Sequence, residues 1–196
     1  MRNMRAEKIG TKEIATAAVL LAICIISQFF KNLSIFITGP IVNTCLILCV
    51  LTAGLAAALA LAVITPVTAF FISGSPVMMA VPAMIPFIMA GNAVLVICFY
   101  FLLNREMRRA DNPVKNPVNI GKAVLCAAAK GIFMGLTISL WLLPAFLPAQ
   151  SPLRGKLGVL QTTFSLHQFL TACIGFVYVF IIWAVLKKVF YLGENA

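Results

Sequence analysis

The chain has 196 residues, of which 62% are hydrophobic and only 10% charged, too few polar side chains to clothe a water-soluble domain. Its formal net charge of +10 comes from basic residues dispersed beside the ends of apolar runs, a pattern that marks membrane topology and not nucleic-acid binding. Lipid-exposed backbone must satisfy its own hydrogen bonds, and long apolar runs without period-two alternation select helices over a barrel.

In chain order, six apolar runs cover residues 14–30, 35–51, 53–72, 81–103, 123–147 and 160–189. Each is near or above the ~17–25 residues a spanning helix needs, so the expected fold is all-α, a single six-helix integral membrane domain. The first run follows a charged head and reads as a retained span, not a cleaved signal. The second is interrupted by Gly39, Pro40 and Asn43, and only its continuity with the third makes it a span and not a re-entrant piece. A basic loop at 104–121 divides the chain into two three-helix halves with no convincing repeat between them.

Six spans put both termini on one side. Arg2, Arg5, Lys8, Lys12, Arg105, Arg108, Arg109, Lys115, Lys122, Lys187 and Lys188 collect on that side, against Lys31, Arg154 and Lys156 on the other. The positive-inside rule therefore predicts cytoplasmic termini, N-in and C-in. All five acids, Glu7, Glu13, Glu106, Asp111 and Glu194, fall on the same side. The six cysteines, Cys24, Cys45, Cys49, Cys98, Cys126 and Cys173, lie inside apolar runs and read as small packed hydrophobes, and a single histidine argues against a metal cluster.

Polar side chains within the spans gather at the outer end: Gln28 and Asn32 closing the first, Asn43 opening the second, Asn92 on the fourth, Trp141 on the fifth, and Gln161, His167 and Gln168 starting the sixth. Pro40, Pro76, Pro82, Pro86, Pro144, Pro148 and Pro152 repeat the asymmetry, with Pro66 in the outer half of the third span. Proline removes a backbone donor, and irregular backbone is tolerated at membrane depth where it lines a cavity or is covered by protein. The expectation is an outer pocket roofed by the loops 31–38, 73–81 and 148–159. Singly, each Asn or Gln has an interhelical reading, Trp141 an interfacial-belt reading and His167 a structural one; their clustering in one leaflet points to a site.

Lys130 is the charge well inside a span, and two readings stand: a structural cation held by carbonyls or snorkelling to the cytoplasmic end, or contact with a deep substrate. Small residues at spacing four form stripes at Ala18 and Ala22, at Gly54, Ala58 and Ala62, and at Ala127, Gly131 and Gly135, which either pack the bundle or face another subunit.

Several phrases resemble the substrate-binding S component of energy-coupling factor (ECF) vitamin and micronutrient transporters of prokaryotes. They are Ile37-Thr-Gly-Pro-Ile-Val-Asn43, Ile64-Thr-Pro-Val-Thr-Ala69, Val81-Pro-Ala-Met-Ile-Pro-Phe-Ile-Met-Ala-Gly-Asn92, Ala127-Ala-Ala-Lys-Gly131 and Gln168-Phe-Leu-Thr-Ala-Cys-Ile-Gly175. The resemblance implies a substrate-capture subunit in the plasma membrane serving an ATP-driven importer, with a transmembrane coupling subunit and two ATPase subunits as partners. It also implies that the alanine face of the first helix, Ala15, Ala18 and Ala22, contacts the coupling subunit.

The chain has no phosphate-binding loop of its own, and neither a Gly-x-Ser-x-Gly nor a His-Glu-x-x-His motif, so enzymatic activity is not expected and no cofactor is implied. A stand-alone secondary carrier or channel is the alternative, disfavoured because no span embeds an acid that would couple protons. The outer layer has Lys31, Arg154 and Lys156 but no acid, which favours a neutral or anionic ring-containing solute. Asn43, Asn92, Gln161, His167 and Gln168 are its candidate hydrogen-bonding partners and Trp141 its candidate stacking partner.

Overall fold

The computed structural model describes residues 10–30, 34–109 and 116–194. Arg2, Arg5, Glu7, Lys8, Lys31, Asn32, Asp111 and Lys115 lie outside the described residues, and so does part of the anticipated roof loop 31–38. The described chain is helical, without strands, and six of its helices are long and apolar enough to cross a membrane.

The order is α1 (Thr11–Gln28), α2 (Ile35–Ala53), α3 (Leu55–Ser73), the short α4 (Pro76–Ala80), α5 (Met84–Leu102), α6 (Asn104–Arg109), α7 (Pro117–Met134), α8 (Leu143–Phe146), α9 (Leu157–Thr163) and α10 (Leu166–Glu194). Between α7 and α8 the chain continues as a π-helix, Gly135–Leu142, and a 3₁₀ turn, Pro152–Lys156, precedes α9. The fifth span begins at Pro117, six residues ahead of its apolar run. Asn116 caps it by accepting from Val118 N at 3.0 Å, and Pro117 supplies the fixed φ suited to a first helical position. The sixth run is divided: α9 ends at Thr163 and α10 starts at Leu166. The loops anticipated at 73–81 and 148–159 contain α4 and the 3₁₀ turn with the start of α9.

The helix that the sequence marks as interrupted is the centre of the bundle. α2 is continuous from Ile35 to Ala53, and 67% of its membrane-length window is buried, against 22–28% for the windows of α1, α3 and α5. Burial on all sides is why it shows no polar stripe. It packs against α1, α3, α5 and α10. Gly39 and Gly175 make the α2–α10 contact possible: a Cβ on Gly39 would lie 2.8 Å from Thr171 Cγ2, and one on Gly175 would lie 2.9 Å from Asn43 Cβ. Thr44 Oγ1 bridges the same seam, donating to Pro40 O at 2.7 Å or Gly175 O at 3.2 Å. One residue, Gly54 at φ 89°, joins α2 to α3, a left-handed corner that suits glycine.

The small-residue stripes divide by burial. Ala58, Ala62 and Ala127 are fully buried, and Gly131 sits against Phe169 of α10, so the stripes of α3 and α7 pack the bundle. Ala15, Ala18 and Ala22 are exposed on the outer face of α1.

At the end of the bundle that carries α6, three contacts fasten the helices together. Arg108 Nη2 donates to Val50 O (3.1 Å), a carbonyl in the last turn of α2, where a cation is favoured. Trp183 Nε1 donates to Met107 O (2.8 Å), and Lys122 pairs with Glu106. At the opposite end a second apolar cluster, including Val77, Met78, Met84, Met134, Ile138 and Phe164, packs α4 and the α9 junction over the π-helix.

Gly175→Val is expected to destabilise the protein by about 1–3 kcal/mol through overpacking at Asn43 and Pro40 O. Gly121→Ala, where a Cβ meets nothing within 4 Å, is expected to be neutral or stabilising. Thermal unfolding in one detergent compares the two, and equal melting temperatures would refute the close α2–α10 seam.

Candidate functional site

A recessed cavity of about 300 Å³ lies between α1, α2, α3, α5, α7 and the α9–α10 junction, beneath α4. The volume is at the small end of the ~300–1,000 Å³ typical of ligand pockets. Asn43 and Asn92 each lie eight residues past the first residue of their helices, about 12 Å along the axis and thus near mid-depth of a span.

Lys130 forms the floor. Its Nζ donates to Asn43 Oδ1 at 2.6 Å and to Asn92 Oδ1 at 2.8 Å, joining α7 to α2 and α5. The side chain is 3% exposed, and none of the cavity-lining residues is an acid. Of the described acids, Glu13 is in the first turn of α1, Glu106 pairs with Lys122, and Glu194 ends α10. Two amide oxygens therefore solvate the ammonium without neutralising it.

The wall on the α3 side follows from Pro66. Proline has no N–H, so the carbonyl four residues earlier, that of Ala62, loses its helical donor. Asn92 Nδ2 approaches this carbonyl at 3.4 Å while its oxygen holds Lys130. One turn nearer the α4 end, Gln28 Nε2 donates to Thr65 O at 3.1 Å, which fixes the amide so that Oε1 is its free end. That Oε1 and the Thr65 hydroxyl oxygen are both buried without a hydrogen-bond partner, on residues 2% exposed that line the cavity. A buried polar atom left unpaired costs about 1–3 kcal/mol, so these two atoms mark a place built for a partner. Thr38 lines the same space while its hydroxyl bonds Ser27 O at 3.1 Å, tying α2 to α1.

The residues singled out from sequence are only partly gathered here. Asn43, Asn92, Gln168 and Lys130 line the cavity. Gln161 does not: its Nε2 donates to Ser139 O (2.9 Å) and Ser139 Oγ returns a bond to Gln161 O (2.8 Å), fastening α9 to the π-helix. Trp141 is 53% exposed on the outer surface, edge-on to Phe87 at 5.7 Å and Phe146 at 6.0 Å, away from the cavity lining. His167 lies against the Phe36 ring at 5.2 Å, outside the lining, with its Nδ1 buried and unpartnered. Gln28 and Thr65 are site residues absent from the sequence-based ligand set. Their signal was a Gln closing a span and a Thr preceding the mid-span Pro66.

A second depression, of about 700 Å³, is an open furrow on the surface of the π-helix and α10. Ile132, Leu136, Leu140 and Leu166 at its sides are 52–66% exposed, and its polar pair Ser139 and Gln161 bond each other. Larger volume there reflects shallowness on a lipid-facing surface, and the recessed cavity has the chemistry. No protein-family model matches the chain, nor does any curated protein or solved structure.

Because Asn92 serves both Lys130 and Ala62 O, Asn92→Leu is expected to cost about 2–3 kcal/mol, much of it from the abandoned cation. In a Lys130→Met background the cost is expected to be smaller, giving a coupling of about 0.5–3 kcal/mol. A denaturation double-mutant cycle measures it; strict additivity would mean the contact is not energetically linked.

Proposed function

We propose that this protein is the membrane-embedded capture subunit of an ATP-driven importer of the energy-coupling factor type, taking up a small micronutrient such as a vitamin or its precursor. The observation that carries the reading is the cavity itself. A recessed space with a solvated cation, two orphaned polar atoms and apolar upper walls, at mid-depth of six apolar helices, is built to hold a small solute.

Three further features support it. The phrases that resemble the S component include Thr65-Pro66, Asn43, Asn92, Lys130 and Gln168, all of which line the cavity. The chain has no phosphate-binding loop, so in this reading ATPase subunits supply the energy for uptake through a transmembrane coupling subunit. Ala15, Ala18 and Ala22 are exposed on α1, small residues at which a partner helix could approach closely. In this reading the α6 end, rich in Lys and Arg, faces the cytoplasm of a prokaryotic cell together with both termini. A stand-alone carrier is the second reading, and it is disfavoured because no carboxylate lines the cavity among the described residues.

The purified chain is expected to bind its solute saturably without ATP, as judged by thermal shift against a panel of vitamins, purines and their precursors. Uptake into liposomes is expected only with coupling and ATPase subunits present. Ala18→Leu and Ala22→Leu are expected to abolish that uptake while leaving the dissociation constant unchanged. Uptake by the chain alone would establish the carrier, and loss of binding in the alanine variants would make those residues part of the fold.

A further inference from the structure

We propose that the solute held in the cavity is a small organic monoanion: its carboxylate pairs with Lys130 at the floor, and a neutral N–H or O–H group at its other end reaches Gln28 and Thr65. This rests on the capture reading and specifies its substrate class.

The charge follows from the floor. Among the described residues Lys130 is the cationic side chain of the lining and no acid lines the cavity, and its ammonium is held by two neutral amide oxygens. Those oxygens occupy two of its three N–H donors and hold it in one orientation, leaving one donor for a ligand. An uncompensated cation at low dielectric is costly, whereas a carboxylate at that point is stabilised by charge and by a charge-assisted hydrogen bond. A cationic solute would add a second positive charge there. A phosphate dianion would leave a net negative charge and more acceptor oxygens than one ammonium proton serves. A monocarboxylate balances the charge and presents fewer acceptor oxygens than a phosphate.

The second feature follows from the wall. Gln28 Oε1 is an acceptor held in place by the amide's other bond, to Thr65 O, and the Thr65 hydroxyl oxygen beside it has no partner. Both satisfy a donor, so the end of the solute away from the carboxylate carries one. It is neutral, because a second charge would again be unpaired. Val42, Ala69, Val77, Ile88 and Phe164 line the space with apolar surface, suited to the ring or hydrocarbon body between the two polar ends.

The minimal probe is 4-aminobenzoate, which has both groups on one ring. The full-length protein in nanodiscs would be titrated with it, with 4-aminobenzamide, which lacks the charge, and with 4-methylbenzoate, which lacks the donor. Saturable binding of 4-aminobenzoate is expected, with the amide weaker by about tenfold or more and the methyl analogue weaker by a smaller factor. Lys130→Gln is expected to erase the preference for acid over amide, and Gln28→Leu the preference for amino over methyl. If Lys130→Gln does not fold, the three-ligand comparison on the unaltered protein decides. Equal binding of acid and amide, no saturable binding of 4-aminobenzoate, or an acid preference that survives in folded Lys130→Gln would overturn the proposal. Should the amide or a vitamin of the panel without a carboxylate bind saturably while the acid does not, the anion falls and solute capture stands. If nothing in either panel binds, both fall.

Discussion

A single ammonium group at mid-depth of an apolar bundle organises this molecule. Taking Lys130 out of water is tolerable only because two amide oxygens replace part of its hydration, and those oxygens come from different helices. The requirement sets α7 beside α5 and within a lysine side chain's reach of α2, with Asn43 and Asn92 at one height. Gly175 is obligatory next to Asn43, since a side chain there would push α10 away from α2. The cavity is the space these helices leave above the ammonium.

Backbone accounting explains the irregular elements around that space. In a membrane a carbonyl that loses its donor finds no water unless a cavity supplies it. Pro66 releases Ala62 O, and an amide from the neighbouring α5 approaches it. In the π-helix Leu143 N bonds Ile138 O, and the next donor in that register would come from Pro144, which has none, so Gln161 from α9 takes the Ser139 carbonyl. In both places a polar side chain on the next element completes a hydrogen-bond pattern that the chain's own helix has relinquished. The same device divides the polar residues into those that maintain backbone and those that face the cavity.

The composition and apolar runs made the membrane class, the six helices and most of their extents legible, because hydrophobic length is a property of contiguous sequence. Helix ends were less so. Asn116 and Pro117 start α7 ahead of the apolar run, since capping is local chemistry that a hydropathy count does not weigh. The second run read as the weakest span because Gly39, Pro40 and Asn43 interrupt it; in the fold those residues are the contact points of the most buried helix of the four compared above. Small and polar residues weaken a hydropathy signal for the same reason that they allow close packing and bonding between helices.

Within the site, the sequence by itself determined which residues were unusual for their setting: an embedded lysine, two asparagines, a glutamine closing the first span and a mid-span proline. Tertiary structure decided their roles. It set Asn43 and Asn92 on Lys130, brought Gln28 to the Thr65 carbonyl, and turned Trp141 outward and Gln161 onto Ser139. A residue's depth follows from its position along one helix. Its direction and partners depend on how each helix is rotated against its neighbours, and that rotation is fixed by packing and hydrogen bonds between segments as far apart in the chain as Asn43 and Lys130.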